Sequence, residues 1–216
     1  MNRIHSKTVV LLALLLALAA CNALPAVELA RDTVAGSPAA DYCVEKGGRV
    51  VTRQPYYATN SPREGWLAMG EPRQFCNFEN PEVEVEDTGF RSQIEIDLDS
   101  LYSERPTLAL LAYLQGPEPN LEGVTRGANP SPIHCGQLGG SARFGLEDDT
   151  AGSGWAKPAE DTSSIFDLVN FCVFPDGSAI ETWGITYRST GTTRGVALED
   201  VVRYQPETYP FIFNRE

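Results

Sequence analysis

The chain has 216 residues and a formal charge of −12, from 17 basic and 29 acidic side chains. That balance excludes a binder of nucleic-acid backbone, which needs a basic stripe to displace counterions, and no cluster of Lys and Arg occurs. It also excludes adsorption of the protein body to anionic lipid, so any membrane attachment must come from another device.

Arg3, His5 and Lys7 form a basic amino-terminal region, and Val9 to Ala20 form an apolar run of the length a secretory signal needs. The run is too short to span a bilayer, which takes roughly 20 apolar residues, and no stop-transfer segment follows it. Its end, Leu18-Ala19-Ala20-Cys21, resembles the lipobox of bacterial lipoproteins. The resemblance implies that residues 1–20 are a signal peptide, that Cys21 carries the lipid, and that residues 21–36 form the lipidated start and a flexible tether. Each buried lipid CH₂ contributes about 0.8 kcal/mol and one chain binds reversibly, so a stable anchor takes two or more chains. The expected place is the bacterial cell envelope, with the protein held on the outer side of the cytoplasmic membrane or in the outer membrane. Asn22, where a retention aspartate would stand, leans toward the outer membrane. Without Arg3 and Lys7, fifteen basic groups face 29 acidic ones, a balance of −14.

About 196 residues remain, enough for one ordinary domain or two small ones. Export places them in an oxidising compartment, where the four other cysteines read as a disulfide framework with three possible pairings. An internal repeat favours one of them. Ser37-Pro38-Ala39-Ala40-Asp41-Tyr42-Cys43, then Gly47-Gly48, recurs as Asn129-Pro130-Ser131-Pro132-Ile133-His134-Cys135, then Gly139-Gly140. Each predicts a short helix with a side-chain N-cap, proline in the first turn and glycine at the end. A strand-like run follows, Arg49 to Thr52 or Ser141 to Phe144, and then a polar loop with Trp66 or Trp155. After the loop comes Phe75-Cys76-Asn77-Phe78 or Phe171-Cys172-Val173-Phe174. The repeat favours Cys43 with Cys76 and Cys135 with Cys172.

Between the copies, Pro106 to Leu114 predicts a short apolar helix or a buried strand, and Gly116 to Gly127, rich in proline and glycine, predicts a linker. In the second copy Pro175-Asp176-Gly177-Ser178 predicts a turn, with Ala179 to Arg188 as the returning strand of a hairpin. At these residues the chain resembles small bacterial domains of unknown function, often found in lipoproteins and carrying a haemolysin label. The second copy matches at Asn129, Pro130, Cys135, Gly139, Gly140, Cys172, Phe174, Pro175, Asp176, Gly177, Ser178, Trp183 and Arg188. The first matches at Pro38, Ala39, Tyr42, Cys43, Gly47, Gly48, Cys76 and Phe78. Two departures stand out: no cysteine follows Cys172, and the first copy has Glu79-Asn80-Pro81-Glu82 in place of the Pro-Asp-Gly turn. The resemblance implies a fold and assigns no catalytic residue.

Candidate chemistry is sparse. His134 is the one histidine beyond the leader, but adjacent helical residues diverge by about 100°, so it does not pair with Cys135 as base and nucleophile. A single histidine with paired thiols builds no zinc site. Val83 to Asp87 and Ile94 to Asp99 alternate, which predicts Val83, Val85, Ile94, Ile96 and Leu98 on a core face and the carboxylates on a solvated face, with calcium as the alternative use of those oxygens. No Gly-x-Ser-x-Gly elbow, Ser-x-x-Lys nucleophile or phosphate-binding glycine loop occurs. Trp66 and Trp155 read as core anchors or ligand-face aromatics, and Trp183 as core.

The sequence therefore predicts an α+β protein of two related small modules, 37–115 and 129–216, each a short helix on an antiparallel sheet with one disulfide, joined by a linker at 116–128. Its expected function is non-enzymatic: a lipoprotein that binds an envelope protein or cell-wall component, without cofactor or metal. The alternative is an inhibitor of a protease or other hydrolase. The candidate binding residues are Trp66, Trp155, Asp176 and Gly177.

Overall fold

The computed structural model describes residues 36–85, 90–144, 150–158 and 168–205. The leader, Cys21 and the tether lie outside them. Helix α1 (Pro38–Glu45) begins where the Ser37 hydroxyl accepts from the Ala40 amide, at 3.1 Å, and ends at Gly47, whose φ of +85° suits a residue without Cβ. Strand β1 (Arg49–Tyr57) follows, then a 3₁₀ turn at Arg63–Gly65 and a short β2 (Leu67–Ala68). The long pair β3 (Arg73–Val85) and β4 (Phe90–Asp97) shifts register between Asn80 and Glu84, next to Pro81, which has no amide to give the ladder. Asp97 caps α2 (Leu98–Tyr102) and Thr107 caps α3 (Leu108–Gln115). Asn129 caps α4 (Pro130–Gln137), and Gly139 closes it at φ +81°. Then come β5 (Ser153–Ala156), β6 (Phe171–Val173), β7 (Ala179–Glu181), α5 (Thr182–Ser189) and a 3₁₀ turn at Leu198–Asp200.

The strands form one antiparallel sheet in the order β2-β1-β3-β4-β7-β6, with β5 also paired to β1, and the sheet curls into a half-barrel. Two backbone hydrogen bonds between Trp155 and Val169 tie β5 to the segment that enters β6. Alternation then gives the sheet two faces. On one, Cys76, Phe78, Ile94, Ile96, Cys172 and Ile180 pack with residues of the five described helices into the main core. On the other, Val51, Phe75, Trp155, Phe171 and Ala179 form a second, smaller core inside the curl.

The disulfides join Cys43 to Cys76 and Cys135 to Cys172. Each clamps a helix onto a strand at a glycine. A Cβ on Gly48 would stand 2.3 Å from Cys76 Sγ and 2.9 Å from Phe78, and one on Gly140 would stand 2.3 Å from Cys172 Sγ and 3.3 Å from Phe174. The second glycine of each pair is thus required by close packing, and the first by its backbone angle.

Several expectations change. Ser141 to Phe144 forms only one bridge, Ser141 with Val173, rather than a strand. Trp155 lies in β5, not in a polar loop. The run after Ser178 is strand only to Glu181 and then becomes α5, so Trp183 is a half-buried helical residue 5.4 Å from Tyr187 rather than a core residue of a strand. Its β-branched pattern is overridden by packing, because Gly184 lets the helix lie against Ile94, where a Cβ would be 2.6 Å from Cδ1. Pro106 to Leu114 resolves to helix α3, and Leu98 starts α2 instead of continuing the alternation. Ile94 and Ile96 are core residues as expected, but Glu95 and Asp97, expected in solvent, are 1% and 3% exposed. Glu86 and Asp87 lie outside the described residues, as do the side chains of Val83 and Val85.

Candidate functional site

The Pro175–Ser178 turn closes the β6–β7 hairpin through the Gly177 amide on Phe174 O (2.9 Å), with Gly177 at φ +84°. Its polar groups turn toward α3. Asp176 Oδ2 accepts from the Leu108 amide at 2.8 Å, and Ser178 Oγ accepts from the Ala109 amide at 3.0 Å. Burial alone would raise Asp176, but the hydrogen bonds from Leu108 and Ser178 together hold it below the usual carboxylate range. Gly177 O accepts from Arg73 Nη2 at 2.7 Å. Asp176 and Gly177 are therefore tied to the fold at an orphan helix terminus.

Inside the curl, Asn77, Glu95 and Glu181 stand side by side on β3, β4 and β7. Arg53 of β1 pairs with Glu95 through both carboxylate oxygens, with Nε on Oε2 at 3.0 Å, and Asn77 Nδ2 donates to Glu95 Oε1 at 2.8 Å. Glu181 Oε1 accepts from Arg194 Nη1 at 2.7 Å. Burial, opposed by Arg194 and reinforced by the Glu95 charge, pushes Glu181 up to about 7, and its Oε2 has no hydrogen bond among the described residues. Asp97 is also raised by burial, against hydrogen bonds from the Ala179 and Ser100 amides. These carboxylates hold strands and helices together.

His134 is buried between α4 and α5, with Nδ1 at 3.1 Å from Thr186 Oγ1 and Nε2 at 2.8 Å from Pro117 O. Burial lowers its pKa, so it stays neutral and pins the start of the expected linker, which Gln137 also holds through Asn120. The indole of Trp155 meets Phe75 and Phe171 edge-on at 5.7 and 5.6 Å and is 4% exposed, an anchor of the inner core. Trp66 is half-buried against Tyr56 at 5.6 Å, with its N–H on Ser61 O. The four candidate binding residues thus lie in three separate settings, with Asp176 and Gly177 sharing the turn.

What the structure does bring together is a cleft of about 330 Å³ beside the start of β5. Asn60, Asn129, Arg143, Phe144, Ser153 and Asn170 are among its walls. One rim is stiff: Asn60 Nδ2 donates to Thr150 O at 2.7 Å, and the Asn60 amide to Ala151 O at 2.8 Å. Phe144 leans on Trp155 with centroids 5.9 Å apart, so the inner core supports the cleft from behind. Asn129 Oδ1 is used by the Ser131 amide and hydroxyl, its Nδ2 has no hydrogen bond among the described residues, and Arg143 is exposed without an ion pair to the described residues. No carboxylate, histidine or thiol lines the cleft among the described residues. No protein-family model, curated protein or solved structure matches the chain. No local pattern points to Arg143 or Asn170, because they converge only when the chain folds.

Proposed function

We propose that the chain is a non-enzymatic lipoprotein of the bacterial envelope that binds a cell-wall component or protein in this cleft. The observation that carries the proposal is the chemistry of its described lining: hydrogen-bonding amides and hydroxyls, one guanidinium and an aromatic ring, the mixture of polar groups and apolar surface that a binding cleft offers. Of the hydroxyls, Ser153 Oγ is occupied by the Phe144 amide at 3.0 Å. The lipobox at Cys21 supports the location. The likeness of the two helix–glycine–disulfide corners supports an origin of the body by duplication of one module, in keeping with the resemblance to small lipoprotein domains. The turn that would suit an inhibitor has its aspartate committed to α3, so the cleft is the better binding surface.

The test is co-sedimentation of the full chain, in mild detergent, with purified cell-wall sacculi or envelope protein extract. Wild type is expected to bind, and an Arg143→Ala/Asn170→Ala variant with an unchanged melting temperature is expected to lose most of that binding. Equal binding by both would contradict the cleft. Membrane partitioning that survives Cys21→Ala would contradict the anchor.

A further inference from the structure

We infer that the cleft takes a glycan, one or two sugar rings of a cell-wall strand; this rests on the binding reading above. The polar groups on offer are of both kinds. The Asn170 carboxamide carries donors and an acceptor without a described hydrogen bond, Asn129 has an Nδ2 also without one, and Arg143 presents a planar fork of donors. The isolated hydroxyls and acetamido groups of a wall glycan likewise supply donors and acceptors, which match the mixed polar groups of an amide and the donors of a guanidinium. The ring of Phe144, half-buried and backed by Trp155, gives the C–H face of a sugar an apolar platform.

Size and charge narrow the choice. Ligand clefts run from roughly 300 to 1,000 Å³, and about 330 Å³ stands at the small end, enough for one or two rings. A wall peptide with a free amine would call for a carboxylate, and none lines the cleft among the described residues. An acidic peptide would call for several cations, and Arg143 is the one cation among the described lining residues, in a chain of net charge −12. A polyhydroxylated ligand with at most one carboxylate for Arg143 to meet satisfies both constraints. The rim is already built for it, since Gly152, at φ +77°, leaves the space in which Asn60 Oδ1 sits, 2.6 Å from where a Cβ would be. Little ordering is then required on binding.

The test uses the full chain in detergent with three probes: peptide-free glycan strands from sacculi, free stem peptides, and dextran. Each is titrated against tryptophan fluorescence and used to compete with sacculi. Glycan strands are expected to bind saturably and to displace sacculi. Arg143→Ala and Asn170→Ala are each expected to weaken binding at least tenfold, and Phe144→Leu, which keeps an apolar wall without the ring, to weaken it as well. Competition by stem peptides and not by strands would overturn the glycan while leaving the binding reading intact. Failure of sacculi and envelope proteins alike to bind would overturn both. Dextran binding as tightly as the strands would keep the sugar and overturn the wall as its source, and strand binding indifferent to Arg143→Ala and Asn170→Ala would overturn the site.

Discussion

At Gly48 and at Gly140 the chain meets the same packing demand: a capped eight-residue helix ends in two glycines, and the second glycine lies on a disulfide and a phenylalanine. Beyond the corners the two stretches part. After Gly48 the chain runs on as the nine-residue β1, which pairs with three other strands. After Gly140 it makes one bridge and leaves the sheet, and Arg143 and Phe144 become a wall of the cleft. The likeness secures the fold, and the departure makes room for a ligand.

The sharpest way to break the comparison is at the glycines. Gly48→Ala and Gly140→Ala should each cost about 3 kcal/mol or more, because neither disulfide sulfur can withdraw from a Cβ at 2.3 Å. Denaturant melts of both variants check this, and a cost confined to one would show that the corners are not equivalent. Next, replacing Cys43 and Cys76 together, or Cys135 and Cys172 together, should cost roughly 3 to 4 kcal/mol for loops closed over 33 and 37 residues. Similar losses from the two pairs are the expected outcome.

A third effect has no described counterpart near the Gly48 corner. Glu181 is raised from 4.5 to about 7 in the fold, so its contribution is fully present below pH 4.5 and is lost as pH rises through 7. That amounts to a fall on the order of 3 kcal/mol. Stability measured from pH 4 to 8 should therefore decline, and Glu181→Gln should flatten the decline; an unchanged slope would assign it to another group. The smallest effect concerns the Pro175–Ser178 turn, which has no sequence counterpart after Cys76. Asp176→Ala should cost about 1 to 2 kcal/mol by uncapping α3 at Leu108, without altering sacculus binding. Loss of binding with no loss of stability would return the turn to the functional surface.

How much of this was legible in the sequence depends on the range of the forces involved. Helix caps, terminal glycines and the hairpin turn follow from local chemistry, and Ser37, Asn129, Gly47, Gly139 and Gly177 all act as their residue types predict. The cysteine pairing was legible because the repeat supplied it. The strand expected after Glu181 failed because Gly184 against Ile94 is a tertiary fact. The solvated acidic face failed because Arg53, 42 residues from Glu95, supplies the countercharge that makes burial tolerable. The cleft was not legible, since its walls come from loops, a helix start and a strand start far apart in sequence. Trp66 and Trp155 drew notice as large aromatics, while the smaller Asn170 and Arg143 did not.

The most direct measurement is hydrogen–deuterium exchange of the full chain with and without cell-wall sacculi. Protection is predicted at Asn60, Arg143 to Phe144, Gly152 to Ser153 and Asn170, with the Pro175–Ser178 turn unchanged. Protection at that turn, or none at the cleft while sacculi are bound, would contradict the account.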